Sequence, residues 1–329
     1  MAPRRGSIAY LPRARAARLT GRIRYWPEIK GGPAVLGFAG YKAGMTRIYV
    51  TDNNPSSPNY GKEVVQPVTI IETPPMIVCA IRTYVETVTG LQTLTEIWAE
   101  KPPKDLERVL TLPEKFDPKN ASNKIEQNLG KINGVFLFLC TQPRMTGAPK
   151  KKPDMMEVKV GGGSTQQQLD YAHNLLGKTV NASDVLKEGL LVDVIAITKG
   201  KGIAGAVKRW GVHMLPHKGR KTKRGIGTLG PWHPAHVMYT VPRAGQLGLA
   251  QRTEYCKQIL KIGSKGAAVT PEGGFIRYGV VNSDFIILRG SIPGPAKRLV
   301  KLRYSARAPE TPKPAPQISS ISLESQQGR

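Results

Sequence analysis

The chain has 329 residues, of which 49 are Lys or Arg and 23 are Asp or Glu, so its formal net charge is +26 at pH 7. This excess is larger than solubility requires and indicates a polyanionic partner. A hydrophobic content of 40% excludes a wholly disordered basic tail. Short apolar runs, an N-terminus without a secretory signal and three separated cysteines without a CxxC pair predict a soluble intracellular protein.

The positive charge is concentrated in two parts of the sequence. Residues 1–30 carry eight basic residues and one acidic residue, and residues 199–265 carry 14 basic residues and one acidic residue. Residues 51–198, in contrast, carry 16 basic and 17 acidic residues. A long stretch of one sign repels itself unless an anion neutralises it, so it indicates a binding surface. The alternative is a simple solubilising patch.

The first 30 residues form the N-terminal arm. Its arginines have few apolar neighbours that could bury them, and Pro12 and Pro27 interrupt it. We therefore expect a basic, extended or irregular arm over residues 1–30 that becomes ordered on a partner.

A β-rich segment follows the arm. Residues 34–39, 46–50, 64–71 and 76–85 are rich in Val, Ile and Thr, and Gly, Pro and Asp residues separate them. Short strands with such punctuation predict an antiparallel barrel or sandwich. We assign residues 31–90 and 191–305 to this β core.

Residues 91–190 differ from the β core because their charges are mixed and helical spacing appears. Helices are predicted at residues 105–110, 122–129 and 166–176, and strands at residues 135–140 and 156–160. This part of the chain is therefore interpreted as an α/β insertion within a mainly β fold.

The β pattern resumes after residue 190, with strands predicted at residues 190–198, 206–210, 252–262, 275–281, 285–289 and 298–304. Residues 211–248, the basic loop, have no periodicity and are rich in Gly, Pro, His and cationic residues, as is typical of functional loops. Residues 306–329 are rich in Pro, Ser and Gln and are predicted to form a flexible tail.

The candidate RNA-binding residues lie in the arm and around the basic loop. Their cations can neutralise phosphates, and tryptophans can stack on bases. For Trp210, core packing at a strand end is an equally good interpretation, whereas Trp232 is flanked by Gly and Pro and is expected to be exposed. The candidates are Arg4, Arg5, Arg13, Arg15, Arg18, Arg22, Arg24, Lys208, Arg209, Trp210, His217, Lys218, Arg220, Lys221, Lys223, Arg224, Trp232, His233, His236, Arg243 and Arg252.

The histidines of the basic loop raise the question of a metal. His213, His217, His233 and His236 have spacings that zinc sites use, but cations stand between the pairs and no carboxylate is near in sequence. We therefore expect no metal, no cofactor and no catalytic residue here, and assign base stacking and hydrogen bonding to these imidazoles.

Six blocks of residues occur in a fixed order along the chain: residues 3–7 (PRRGS), 37–46 (GFAGYKAGMT), 72–76 (ETPPM), 208–211 (KRWG), 232–238 (WHPAHVM) and 241–246 (VPRAGQ). Together these blocks resemble the universal large-subunit ribosomal protein L three family in its archaeal and eukaryotic form. The resemblance extends from the start of the chain to about Tyr304.

The resemblance implies a fold and a function. The fold is a translation-protein-like β-barrel with an α/β insertion, a basic N-terminal arm and a long basic loop. The implied protein is a non-enzymatic constituent of the cytoplasmic ribosome that binds large-subunit rRNA and helps to nucleate subunit assembly. Its loop, with Trp232 at the tip, approaches the peptidyl transferase centre. The implied neighbours are proteins of the L fourteen type and the archaeal L twenty-four type, and no membrane is involved.

Two other hypotheses belong to different functional classes. One is a soluble RNA-modifying enzyme that uses the histidine cluster. The other is a general nucleic-acid chaperone without a fixed site, which would not distinguish rRNA from random RNA.

Overall fold

The computed structural model describes residues 4–53, 55–112, 118–309 and 316–327. The chain forms two compact units. The smaller unit combines the start of the chain, up to Gly21, with Ile197–Arg252. The larger unit combines Arg22–Ala196 with Thr253–Arg329. Each unit therefore joins segments that are distant in the sequence, and the boundary near the N-terminus falls within the arm.

Strands predominate among the described residues, which confirms the mainly β class. In chain order the strands are β1 (Ala34–Val35), β2 (Gly37–Thr51), β3 (Glu63–Glu72), β4 (Met76–Thr87), β5 (Gly90–Trp98), β6 (Ile132–Cys140), β7 (Met155–Gly161), β8 (Thr179–Val180), β9 (Leu191–Ile197), β10 (Gly200–Ala204), β11 (Gly245–Gly248), β12 (Gln251–Gly263), β13 (Phe285–Arg289), β14 (Leu299–Tyr304) and β15 (Ile318–Ile321). The α-helices are α1 (Pro118–Gln127), α2 (Thr165–Leu175), α3 (Ala182–Val185) and α4 (Ala206–Trp210).

Six strands form a closed ring of pairings in the order β14-β9-β12-β13-β3-β2, and β14 also pairs with β2. Leu302 of β14 lies opposite Val194 of β9 on one side and Phe38 of β2 on the other. All three side chains are fully buried. Closure leaves no free edge within the ring, which is the arrangement that a β-barrel requires.

A second sheet of the larger unit has the order β1-β7-β6-β4-β5, with β8 also paired to β4. Along β6, Val135, Leu137 and Leu139 alternate with less buried residues and are fully buried, as the period of a strand requires. Helix α2 begins at a capping box formed by Ser164 and Gln167. Residues 91–190 contribute both strands and helices, but β1 and β4, which the sequence analysis assigns to the β core, lie in the same sheet. The bounds of the insertion therefore stay a prediction.

Two predicted strands are wrong. Residues 206–210 form α4, because Ala206 and Trp210 are buried one helical turn apart. Residues 275–281 contain only an isolated bridge, because Phe275, Tyr278 and Val281 are buried at intervals of three residues rather than two. At both positions the run of apolar residues is too short to distinguish a strand from a helical turn or a loop.

A buried carboxylate holds the segment around Tyr278. Glu72, at the end of β3, is fully buried and accepts hydrogen bonds from the backbone amides of Asn282 and Ser283 at 2.7 and 2.8 Å. The hydroxyl of Tyr278 also donates to this carboxylate. Burial and the negative charge of Glu72 raise the pKa of Tyr278, so the phenol stays protonated and keeps this contact.

The larger unit also contains a buried ion pair. Asp193 of β9 is fully buried and accepts from Nε and Nη2 of Arg303 at 3.1 and 3.0 Å. The backbone amide of Ala306 and the hydroxyl of Ser305 donate to the same carboxylate. A backbone carbonyl accepts from Arg303 as well, at Tyr25. This network neutralises the guanidinium charge inside the protein.

Part of the predicted tail is ordered. Strand β15 pairs with β2, and Arg47 forms an ion pair with Glu324 at 2.6 Å. Composition predicts flexibility for residues 306–329, but Ile318 and Ile321 pack against the core. Residues 310–315 and 328–329 lie outside the described residues, as do residues 1–3 at the start of the arm.

Candidate nucleic-acid interface

The smaller unit carries a charge that it cannot neutralise. Segments 1–21 and 197–252 contain 16 of the 49 Lys and Arg residues and none of the 23 Asp and Glu residues. No ion pair can form inside this unit, because its sequence has no carboxylate. The larger unit holds the other 33 cationic residues together with all the acidic ones. An uncompensated charge of one sign is what a polyanion-binding surface requires.

Trp210, the last residue of α4, lies at the centre of the smaller unit. Its side chain is 5% exposed, and its indole Nε1 donates to the carbonyl of Arg243 at 2.9 Å. The helix ends here because Gly211 adopts a left-handed conformation. A Cβ on Gly6 would lie 2.7 Å from the indole ring, so a glycine lets the arm pass over it. Of the two interpretations of Trp210, burial supports core packing.

The guanidinium of Arg209 donates to three backbone carbonyls. Its Nε donates to Gln246 at 2.9 Å, its Nη1 to Arg243 at 3.0 Å and its Nη2 to Arg13 at 3.2 Å. Carbonyl oxygens fix the orientation of the group without cancelling its charge. The three acceptors come from the arm and from the C-terminal part of the basic loop, so Arg209 ties both segments to α4.

Arg13 of the arm stacks on the indole of Trp210, with its guanidinium carbon 3.8 Å from the ring centroid. Its Nη1 donates to the carbonyl of Arg209 at 2.6 Å, and its Nε is buried without a hydrogen-bond partner among the described residues. Burial, and then the nearby charges of Arg209, Arg252 and Arg4, lower the pKa of Arg13. These guanidinium groups therefore repel one another at short range, which an added anion would relieve.

Other arm residues contact the basic loop and the start of β12. Arg4 donates to the carbonyl of Thr240 at 2.6 Å, and Arg5 contacts Nε2 of His213. The guanidinium of Arg252 lies 4.5 Å from the ring centroid of Tyr10. Within residues 4–13, carbonyl, imidazole and aromatic contacts thus hold the arm in this structure.

The remaining candidates divide into two groups by position. Those of the smaller unit are exposed; they are Arg15, Arg18, Lys208, His217, Lys218, Arg220, Lys221, Lys223, Arg224, Trp232, His233, His236 and Arg243. The other two, Arg22 and Arg24, are exposed side chains of the larger unit. The structure therefore brings most of the candidates into one unit, and leaves these two in the other.

The tip of the basic loop has its own local structure. The amide of Leu215 donates to the carbonyl of Lys223 at 2.9 Å and closes a turn whose cations point to solvent. Trp232 is 88% exposed. An indole exposed to this extent can stack on a base, and exposed cations elsewhere in the loop can contact phosphates.

A cavity that the sequence did not indicate lies beside Trp210. Its volume is about 700 Å³, and its walls come from residues 11–14, 209–210 and 237–239, with Val241 and Arg243. The sequence analysis does not single out Tyr239 and Leu11, which line this cavity. The available signal was the apolar run at residues 237–239, which has no strand or helix periodicity and stands inside a cationic loop.

No metal-binding group of three or more His, Cys, Asp or Glu residues occurs among the residues that the structure describes. In the same residues, we find no helix with the length and apolar character needed to cross a membrane.

The family model for ribosomal protein L3 matches residues 1–328. The chain belongs to the ribosomal protein L3 family. Archaeal relatives match this chain over nearly their full length. The large ribosomal subunit protein uL3 of Methanothermobacter thermautotrophicus is 48% identical over 331 residues, which cover 99% of this chain and 98% of the relative. The uL3 of Pyrobaculum calidifontis is 50% identical over 331 residues, covering 98% of each chain.

Membership of the L3 family gives a context to the blocks found in the sequence. Residues 208–211 and 241–246 contribute Arg209, Trp210 and Arg243, which contact one another through the hydrogen bonds described above. Residues 72–76 begin with Glu72, which holds a loop of the larger unit. Some of the blocks in this L3 chain therefore hold the smaller unit together, and the block that begins at Glu72 holds part of the larger unit.

Proposed function

We propose that the chain is a structural, non-enzymatic constituent of the large ribosomal subunit and that it binds large-subunit rRNA through the smaller unit. The observation that carries the proposal is the charge of that unit, which holds 16 cations and no carboxylate. The curated relatives are large ribosomal subunit proteins, which supports the RNA of that subunit as the polyanion.

The mode of binding follows from the arrangement of the cations. Arg13 and Arg209 are fixed by carbonyls and an indole, whereas the cations of residues 217–224 at the loop tip are exposed. Fixed guanidinium groups position a phosphate geometrically, and mobile exposed cations add electrostatic attraction. We propose that the unit docks on folded RNA through the first set and follows its backbone with the second.

Three finer proposals rest on the family resemblance. The loop, with Trp232, approaches the peptidyl transferase centre, and the chain helps to nucleate assembly of the subunit. Neighbouring proteins of the L fourteen and archaeal L twenty-four types contact it. The larger unit has mixed surface charge, which suits protein neighbours better than RNA.

Chemical footprinting of large-subunit rRNA tests the proposal. The intact chain should protect defined nucleotides, and deletion of residues 212–236 should remove part of that protection. A length-matched control replaces Lys218, Arg220, Lys221, Lys223 and Arg224 by Gln, and it should lose the same protection if charge is the cause. Protection that survives both changes would contradict the assignment of the loop.

Two other outcomes would point to the competing hypotheses. Equal protection of rRNA and of random RNA of the same length would indicate a nucleic-acid chaperone without a fixed site. Stoichiometric zinc, together with turnover that is lost on His233→Ala, would indicate an RNA-modifying enzyme. Either result would contradict the structural role.

A further inference from the structure

The cavity beside Trp210 has walls of two chemical kinds. The lining includes the cationic residues Arg13, Arg209 and Arg243 and the apolar and aromatic residues 237–239. Arg13 and Arg209 are held in place by hydrogen bonds to carbonyls. Their positive charge is therefore available to a ligand, since no carboxylate of this unit can compete for it.

The apolar side of the cavity is unusually open to solvent. The three consecutive residues Val237, Met238 and Tyr239 are 47%, 45% and 73% exposed. Exposed apolar side chains that cluster at a concave site are typical of ligand-binding surfaces. A ligand that covered them would bury apolar area and contact the aromatic ring of Tyr239.

The two walls together select one class of ligand. A free inorganic anion would satisfy the arginines but would leave the apolar wall exposed. A base pair within a duplex cannot enter, because its faces are covered by the neighbouring pairs. A single unpaired nucleotide offers a flat face for the apolar wall and a phosphate for the guanidinium groups. The volume of about 700 Å³ lies within the range of small-ligand pockets.

We propose that this cavity holds one unpaired nucleotide of the RNA, with its base against Met238 and Tyr239 and its phosphate facing Arg13, Arg209 and Arg243. The inference rests on the proposed function, because it assumes that RNA is the partner. It goes further by naming a nucleotide-sized site apart from the exposed tip of the basic loop. It also gives the apolar residues 237–239 a role in RNA recognition, in addition to the role of the cationic residues.

Binding of two RNA probes by the full chain tests the proposal. The probes are a short single-stranded RNA and the same strand annealed to its complement. Tyr239→Ala should weaken binding of the single strand about tenfold, through lost stacking, and leave duplex binding unchanged. Tyr239→Phe keeps the ring and should bind as the unmodified chain does.

A matched control uses an exposed tyrosine of the larger unit. Tyr60 is 61% exposed, and Tyr60→Ala should change the affinity for neither probe. If Tyr239→Ala left single-strand affinity unchanged, or weakened both probes equally, the nucleotide site would be overturned while RNA binding itself stood. If the unmodified chain bound neither the probes nor rRNA, both the nucleotide site and the proposed function would be overturned.

A crosslinking experiment locates the nucleotide independently of affinity. Large-subunit rRNA that carries photoactivatable 4-thiouridine is bound to the full chain and irradiated, and the crosslinked peptides are identified by mass spectrometry. Crosslinks within residues 237–243 or 11–14 are expected. Crosslinks confined to the loop tip at residues 217–236 would overturn the cavity site and retain the RNA partner.

Discussion

Two arginine clusters show how differently the two units treat positive charge. In the larger unit, Arg303 lies against Asp193, which is fully buried and accepts hydrogen bonds from several donors. In the smaller unit, Arg13 and Arg209 contact an indole and backbone carbonyls. Both clusters fix a guanidinium in one orientation. Only the first neutralises it.

The difference separates a structural arginine from a binding arginine. A guanidinium beside a buried carboxylate has its charge cancelled, so it contributes to the fold and has little left for an external anion. A guanidinium held by carbonyls and an aromatic ring keeps its full charge in a defined place. Total charge does not distinguish the two cases, whereas the identity of the acceptors does.

The largest expected effect comes from breaking the neutralised cluster. Asp193→Ala removes the buried carboxylate and leaves Arg303 buried without its counter-charge, so it should lower the free energy of unfolding by about 3–5 kcal/mol. Urea denaturation measures this change. Glu324→Gln breaks an exposed pair with Arg47 and should cost less than about 1 kcal/mol. Equal effects of the two substitutions would contradict a structural role for Asp193.

A somewhat smaller effect is expected from the second cluster. Trp210→Ala removes the buried ring on which Arg13 stacks, and should destabilise the smaller unit by about 3 kcal/mol. Hydrogen exchange of amides in residues 197–252 reports this loss locally. Trp210→Phe keeps a ring but loses the bond to the carbonyl of Arg243, at about 1 kcal/mol. Unchanged exchange in Trp210→Ala would show that the indole does not hold the unit together.

The sequence predicted many of the strands, because runs rich in Val, Ile and Thr between Gly, Pro and Asp residues are a local signal. Strands β6 and β9 and helix α2 lie at predicted positions. The same method failed at residues 206–210, where five residues are too few to separate a strand from one helical turn. There the deciding information was Gly211 and the burial of Trp210, which depend on the fold.

The candidate site was predicted in its charge but not in its geometry. The absence of Asp and Glu between Asp193 and Glu254 is visible in the sequence, and it located the cationic region. The contacts of Arg13 with Trp210 and Arg209 join positions about 200 residues apart, so no local pattern reveals them. The cavity lined by residues 237–239 depends on the same long-range contacts.

The salt dependence of rRNA binding tests the central claim most directly. Lys221 and Lys223 in the smaller unit, and Lys151 and Lys152 in the larger unit, are exposed pairs of the same residue type. If the smaller unit binds the RNA, replacing the first pair by Gln should reduce the slope of log affinity against log salt concentration by about 1.4–1.8, since each phosphate contact contributes about 0.7–0.9. Replacing the second pair should leave the slope unchanged. Equal reductions for both pairs would contradict the account, because binding would then follow total charge rather than the unit that carries no carboxylate.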